Sequence, residues 1–274
     1  MKKNKRLGVL IEEFTANPSM LFDSKHFCDK FDIAKSSLSE DIKLIDEIFR
    51  DNGSGRIESI PGVGGGIRYI PDISPERIRK LQDEMCRLLS DPSRILGGGF
   101  LYTSDILYDG KLMNDTARFF AGRYSKLNAD YVVTVETKGI PLAAQTARLL
   151  NIPLVVIRRE AMYSEGSTVS INYFSGSSDR IQKMSLAKRA VKPGSKAIVI
   201  DDFMRGGGSA KGIIEVLSEF DVETVAVGVA IVSAKPEKKK IGEYTSIVLL
   251  DGIDEEGKII NVRANEDILN EVDF

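Results

Sequence analysis

The stretch AIVIDDFMRGGGSAKG, residues 197–212, decides the fold of this 274-residue chain. Ile198, Val199 and Ile200 form an apolar run of the kind that fills a strand buried on both faces. The strand ends in two adjacent acids, Asp201 and Asp202. Phe203, Met204 and Arg205 lead from them into the turn Gly206-Gly207-Gly208-Ser209, and a helical segment follows. Glycines at such a turn let successive backbone N–H groups close around an anion, and the helix N-terminus adds its positive end. Ser209 supplies a hydroxyl and Arg205 a charge. The paired carboxylates suit neighbouring hydroxyls, as on a ribose, or a metal-bound water. The combination reads as a site for a phosphorylated sugar.

From Asp130 onward the same alternation recurs. YVVTVET, IPLVVIRR, KAIVIDD, TVAVGVAIV and SIVLLDG are near-continuous apolar runs, with helical segments around 140–150 and 208–220. That pattern is an α/β domain with a central parallel sheet. Ligands on such sheets sit at the carboxyl ends of the strands. A second strand end falls at Glu136, where Thr137-Lys138-Gly139 turns into a helix. Alone this is an ordinary strand-to-helix turn with a solvated lysine. Beside the 201–209 loop it reads as a second ligand turn, with Lys138 as a point charge. A third, long polar segment, RREAMYSEGSTVSINYFSGSS, follows the strand ending near Arg158, and is either an exposed hairpin or a closing loop. Residues 74–90 read as an amphipathic linker helix, so the expected domains are 1–73 and 74–274.

The first 73 residues follow another pattern. Leu7, Leu10, Ile11 and Phe14 share one helical face, and Asn17-Pro18 stops that helix. Asp23 or Ser24 caps a short second helix. A tight turn leads to a third, in which Ser37 and Glu40 fit a capping box and Leu38, Ile42, Ile45 and Phe49 make the apolar stripe. RIESI and GIRYI flank the glycine-rich PGVGG as a hairpin. Three helices and a hairpin give a winged helix-turn-helix, whose helix 35–49 enters the major groove. Lys35, Ser36, Ser37, Ser39 and Lys43 lie away from the stripe and are the candidate DNA contacts. Lys2, Lys3, Lys5 and Arg6 of the basic arm, with Arg56 and Arg68 of the wing, are candidates for phosphate. A small helical dimerisation domain would use the same pattern. Bulk charge does not choose, because residues 1–73 hold 11 Lys/Arg and 12 Asp/Glu.

Composition narrows the rest. Hydrophobic residues at 42% and charged residues at 28% are those of a soluble globular protein. No run of about 18 apolar residues is present, and the basic start lacks the apolar core of a signal peptide. The expected location is cytoplasmic, with Cys28 and Cys86 as reduced thiols. A single histidine, His26, argues against histidine triads and His-rich metal sites.

The stretch 197–212 resembles the phosphoribosyl pyrophosphate (PRPP) signature of type I phosphoribosyltransferases. The resemblance implies that Asp201 and Asp202 take the ribose hydroxyls, that Arg205 through Ser209 take the 5′-phosphate, and that Thr137-Lys138-Gly139 bind the pyrophosphate, often through a non-proline cis peptide. Many members carry threonine where this chain has Gly206, so the loop lacks one hydroxyl. With the winged helix in front, nearly the whole chain resembles the purine operon repressors of Gram-positive bacteria, through AKSSLSED, ETKG, EGSTVSINY, SGSS, MSLAKR and VIDDFMRGGGS. The resemblance implies a homodimeric repressor of purine biosynthesis and transport genes, with no required cofactor and no catalysis. PRPP, with Mg²⁺ as its companion ion, is the inducer, and a purine nucleotide such as (p)ppGpp competes for the site. Tyr102 and Phe203 then become candidates for an apolar wall beside sugar or purine, although either also suits the core. Arg158, Arg159, Arg180, Lys183, Lys188 and Arg189 form a basic surface that either faces DNA as well or is an ordinary solvated charged surface. The rival reading is an active purine phosphoribosyltransferase with an accessory N-terminal domain; a third is a plain nucleotide-binding module.

Overall fold

A computed structural model describes residues 1–160, 166–174 and 181–271. The chain opens with three helices, α1 (Lys3–Ala16), α2 (Ser24–Phe31) and α3 (Lys35–Asp51), and the antiparallel hairpin β1 (Gly55–Ile60) and β2 (Gly66–Pro71). Asp23 caps α2 by accepting from the amide of Lys25. The expected capping box on α3 is absent. Asp32 closes α2 in the left-handed conformation, Ala34 is already the N-cap of α3, and Ser37 lies within its first turn. The stripe Leu38, Ile42, Ile45 and Phe49 is buried with Leu10, Phe14, Phe27 and Tyr69 in one core. Three helices with a two-stranded wing make the N-terminal domain a winged helix-turn-helix.

Helix α4 (Pro75–Leu89) starts at Ser74, whose hydroxyl accepts from the amide of Arg77. It was expected as a linker, but it is a wall of the second domain. Ile78, Leu81, Met85 and Leu89 enter that domain's core, and the buried Gln82 amide donates to the carbonyls of Ile247 and Asn265 at 3.0 and 2.8 Å. An amphipathic stripe shows that a helix covers something apolar, not which sheet it covers.

The small hairpin β3 (Ile95–Gly97) and β4 (Phe100–Leu101) comes next, followed by α5 (Ser104–Leu107) and α6 (Gly110–Tyr124). The main sheet then builds from β5 (Tyr131–Val135), α7 (Ile140–Leu150) and β6 (Leu154–Ile157). Strands β7 (Thr168–Phe174) and β8 (Ile181–Ala187) form a separate antiparallel ribbon. The sheet resumes with β9 (Lys196–Met204), α8 (Gly208–Glu219), β10 (Glu223–Ser233), β11 (Thr245–Asp254) and β12 (Ile259–Ala264). The six strands lie in the order β12-β11-β10-β9-β5-β6, all parallel except for β12. Along β9 the side chains alternate, as strand geometry requires. Ile198 and Ile200 join the core under α4, α6 and α7, and Ala197 and Val199 join the core under α8.

The two domains meet through polar contacts on α4, α6 and α7. Arg118 of α6 donates to the carbonyl of Ser54 and to the hydroxyl of Tyr69 at 2.9 and 2.8 Å. Arg77 of α4, paired with Asp115 at 2.6 Å, donates to the carbonyl of Gly53 at 3.3 Å. The hydroxyl of Ser19, between α1 and α2, donates to the carbonyl of Leu149 at the end of α7, at 2.7 Å. Gly122 is required at the junction, since a Cβ there would stand 2.2 Å from the carboxyl carbon of Asp72.

Asp72 itself is buried, accepts from Arg56 at 2.9 Å and from the amide of Ile73 at 2.8 Å, and still has its pKa pushed up to about 6 because desolvation outweighs both. The folded state therefore holds this proton more tightly than the unfolded chain, whose aspartates titrate near 3.9. Its contribution to stability is fully present below about pH 4 and is lost as pH rises through about 6, by up to about 3 kcal/mol. Urea unfolding of wild type and Asp72→Asn between pH 4 and 7 measures it: the variant's stability should rise relative to wild type over that window and stay level above it. Parallel pH profiles would contradict the assignment.

Candidate functional site

The site forms where β9 and β5 end. Strand β9 continues past its acids to Met204, farther than the apolar run suggests, and pairs with β10 as far as Met204↔Val232. The loop then turns through Gly207, which caps α8 in the left-handed conformation at φ +79°, a position suited to glycine. Amides of the loop and of the first turn of α8 are thereby available to an anion.

A cavity of about 250 Å³ opens over this loop. It is lined by Lys138, Asp201, Asp202, Phe203 and Arg205 through Ser209 on one side, and by Gly99, Phe100, Leu101 and Thr103 on the other. That size is at the small end for ligand pockets and suits a phosphorylated sugar. A larger hollow of about 1050 Å³ lies at the domain junction, beside Arg56, Asp72, Arg123 and Glu243. It has neither the acid pair nor the glycine loop, so the smaller cavity is the candidate site.

Asp201 is buried and accepts from the amide of Asp202 through Oδ1 at 3.0 Å, while Asp202 is half-buried. Desolvation raises the pKa of both, and the negative charge of Asp202 raises Asp201 further. Arg159 acts against the shift at Asp201 and Lys138 against the shift at Asp202. A ligand that donates hydroxyls or brings a cation to this pair relieves the same strain.

The turn 137–139 packs directly on the acids. Gly139 is buried, and a Cβ there would lie 2.8 Å from Asp201 Oδ1 and 2.7 Å from Thr134 Oγ1. Lys138 lines the cavity and Thr137 is exposed beside it. The Glu136–Thr137 peptide is cis. Glu136 turns away from the ligand side, accepting from the amide of Arg159 at 2.6 Å and from the Arg158 guanidinium at 3.5 Å.

Several expected contacts stand elsewhere. Tyr102 joins neither cavity nor core. Its backbone is held on Arg94, its amide donating to the Arg94 carbonyl at 2.8 Å, and the residue is 47% exposed. Beside Phe203 the aromatic at the cavity is Phe100, two residues before Tyr102 and preceded by three glycines with positive φ, which bend the β3–β4 tip toward the glycine loop. The glycine run was the available signal for it. Met204, at the end of β9, lines the cavity and is buried in the core under α8. Arg159 acts electrostatically on Asp201 and Arg158 pairs with Glu136, outside the cavity lining. Lys183, Lys188 and Arg189 are exposed; Arg180 and the run SGSS at 175–178 lie outside the described residues. The described part of the third segment is a ribbon docked on α8, with Tyr173 and Met184 buried against Gly212.

In the N-terminal domain Lys2, Lys3, Lys5, Lys35, Ser36, Ser39 and Lys43 are exposed and Ser37 is half-buried. Three arginines are already engaged. Arg6 is 8% exposed and is paired through Nε with the fully buried Asp41 at 2.5 Å. Arg56 is paired with Asp72 at 2.9 Å and Arg68 with Glu58 at 2.6 Å. Arg6 is thus an interior tie between α1 and α3, not a free phosphate contact. Among the described residues no group of three or more His, Cys, Asp or Glu is placed to hold a metal, and no helix is long and apolar enough to cross a membrane.

Comparison with known proteins agrees with both halves. Residues 2–71 match the model of the bacterial purine repressor N-terminal domain, and residues 103–266 match the phosphoribosyl transferase domain. The purine biosynthesis transcriptional repressor PurR of Bacillus subtilis is 38% identical over 96% of this chain and 92% of its own. The chain belongs to the PurR-type family of bacterial purine repressors. A member from Lactococcus lactis, 35% identical over 96% of this chain and 97% of its own, is named a purine biosynthesis transcriptional activator. Adenine phosphoribosyltransferase from Rhodothermus marinus shares the fold, with a TM-score of 0.52 and 16% identity over 65% of this chain and all of that one. The second domain is therefore a type I phosphoribosyltransferase fold carried within a family of transcriptional regulators.

Proposed function

We propose that this protein is a DNA-binding repressor of purine biosynthesis and transport genes that takes PRPP as inducer, with the phosphoribosyltransferase fold acting as sensor. What carries this reading is the union in one chain of a winged helix and a strand end bearing the acid pair, the glycine loop and the 137–139 turn. Asp201 and Asp202 accept the ribose hydroxyls. Arg205 to Ser209 hold the 5′-phosphate, and Thr137, Lys138 and Gly139 the pyrophosphate. Phe100 and Phe203 form the apolar wall, where a purine nucleotide such as (p)ppGpp competes. Mg²⁺ arrives with PRPP, since the acid pair suits ligand hydroxyls or a metal's waters better than a closed protein cage. The protein works as a homodimer reading paired half-sites.

DNA is held by the exposed face of α3 and by Lys2, Lys3 and Lys5. PRPP prefers the state with low DNA affinity, and linkage makes it an inducer by that difference alone. The test is a mobility shift on promoter DNA of purine biosynthesis genes. PRPP should release the complex, while incubation with PRPP and adenine, guanine, hypoxanthine or xanthine should release no pyrophosphate. A complex indifferent to PRPP would overturn the inducer assignment. Steady pyrophosphate release would favour the transferase reading, and tighter DNA binding with PRPP would favour activation.

A further inference from the structure

A loop that binds phosphate through its amides points its carbonyls the other way. Those carbonyls need partners, or the loop can turn an oxygen toward the anion. Here the partners come from one segment, the return from β10 to β11. Lys239 Nζ donates to the carbonyls of Arg205, Ser233 and Pro236 at 2.8, 2.5 and 2.6 Å. An ammonium has three N–H donors, so all three are in use. The next residue adds a second tie to the loop, the amide of Lys240 donating to the carbonyl of Gly206 at 2.9 Å. The same segment lies against the bend of the loop: a Cβ at Gly207 would stand 3.3 Å from the Lys240 nitrogen.

We propose that Lys239 is a positioning residue of the phosphate loop, tying the outward carbonyl of Arg205 to the end of β10 and the β10–β11 return so that the loop's amides face an anion. The proposal rests on reading 205–209 as the phosphate site and adds to it a residue 30 or more positions away in sequence, outside the cavity lining. Lysine fits because its three donors radiate from one atom and reach three carbonyls. Its charge, set behind the loop, also adds to the field an arriving phosphate meets.

The experiment uses full-length wild type, K239M and K239C, the last before and after aminoethylation with 2-bromoethylamine, which returns an ammonium at nearly the same reach. Wild type treated alike controls for Cys28 and Cys86. PRPP affinity is read by calorimetry, loop order by amide exchange across 204–209, and operator affinity by mobility shift without effector. K239M and untreated K239C should bind PRPP about tenfold more weakly, exchange faster at 205–209, and keep wild-type operator affinity; aminoethylation of K239C should restore both properties. Unchanged affinity and exchange in folded K239M would overturn the proposal, as would a loss that aminoethylation does not restore. If wild type binds no PRPP, the inducer reading fails by itself, and exchange at 205–209 in K239M still decides whether Lys239 holds the loop.

Discussion

Asp201→Ala is expected to bind operator DNA as wild type does and to lose its response to PRPP. A hydrogen bond to a charged group contributes about 1.5–3 kcal/mol, so a hydroxyl left without the Asp201 carboxylate weakens PRPP by roughly ten- to a hundredfold. Folding should not suffer. Burial and the neighbouring acid both raise the pKa of Asp201, which means that its ionised form is held at a cost. Removing it takes away that buried acid, and the thermal midpoint should hold or rise. Asp201→Asn, which keeps an acceptor for the amide of Asp202, should likewise bind DNA and respond weakly to PRPP. Calorimetry with PRPP, a melting curve and a mobility shift for each variant check the three statements. Normal induction in a folded Asp201→Ala would remove the acid pair from the site.

Asp41→Ala should disable DNA binding by a different route. Asp41 is fully buried and holds Arg6 between α1 and α3. Taking away one member of a buried pair leaves the other charge uncompensated, a loss of roughly 3 kcal/mol in the N-terminal domain. Replacing both by apolar residues of similar size is tolerated far better. The double variant Arg6→Met with Asp41→Leu should therefore recover the fold, and with it operator affinity and an unchanged dependence on salt. A phosphate contact at Arg6 would give the opposite: a folded double variant with weaker binding and a salt slope reduced by about one. Denaturant unfolding followed by titration at two or more salt concentrations separates the two.

The same pair shows what one-dimensional reading reaches. Apolar runs marked the five parallel strands because strands buried on both faces need apolar residues throughout. The acid pair and glycines were legible because they are adjacent in sequence. Arg6 was not legible as an interior residue. Its basic neighbours suggest solvent or phosphate, and the acid that neutralises it is 35 residues away. The acids that pair with Arg56 and Arg68 were hidden for the same reason, since they lie across the hairpin or beyond it. Phe100 and Tyr102 are both aromatics near a glycine run, and only the two-way backbone hold on Arg94 decides which one meets the cavity. The cap of α3 moved from Ser37 to Ala34 because the left-handed Asp32 starts the helix early, a choice made by the turn rather than by the serines.

Helix α7 begins at the turn beneath the acid pair, and its last carbonyls meet the hydroxyl of Ser19. Eleven residues make a rod of about 16 Å, one end at the site and the other against the N-terminal domain. Pivoting it by about 5° at the ligand end would sweep the far end through roughly 1.4 Å, enough to stretch a 2.7 Å hydrogen bond beyond its useful range. A displacement too small to rearrange the sheet is therefore large where the winged helix is fastened, and the geometry of a single lever sets the gain.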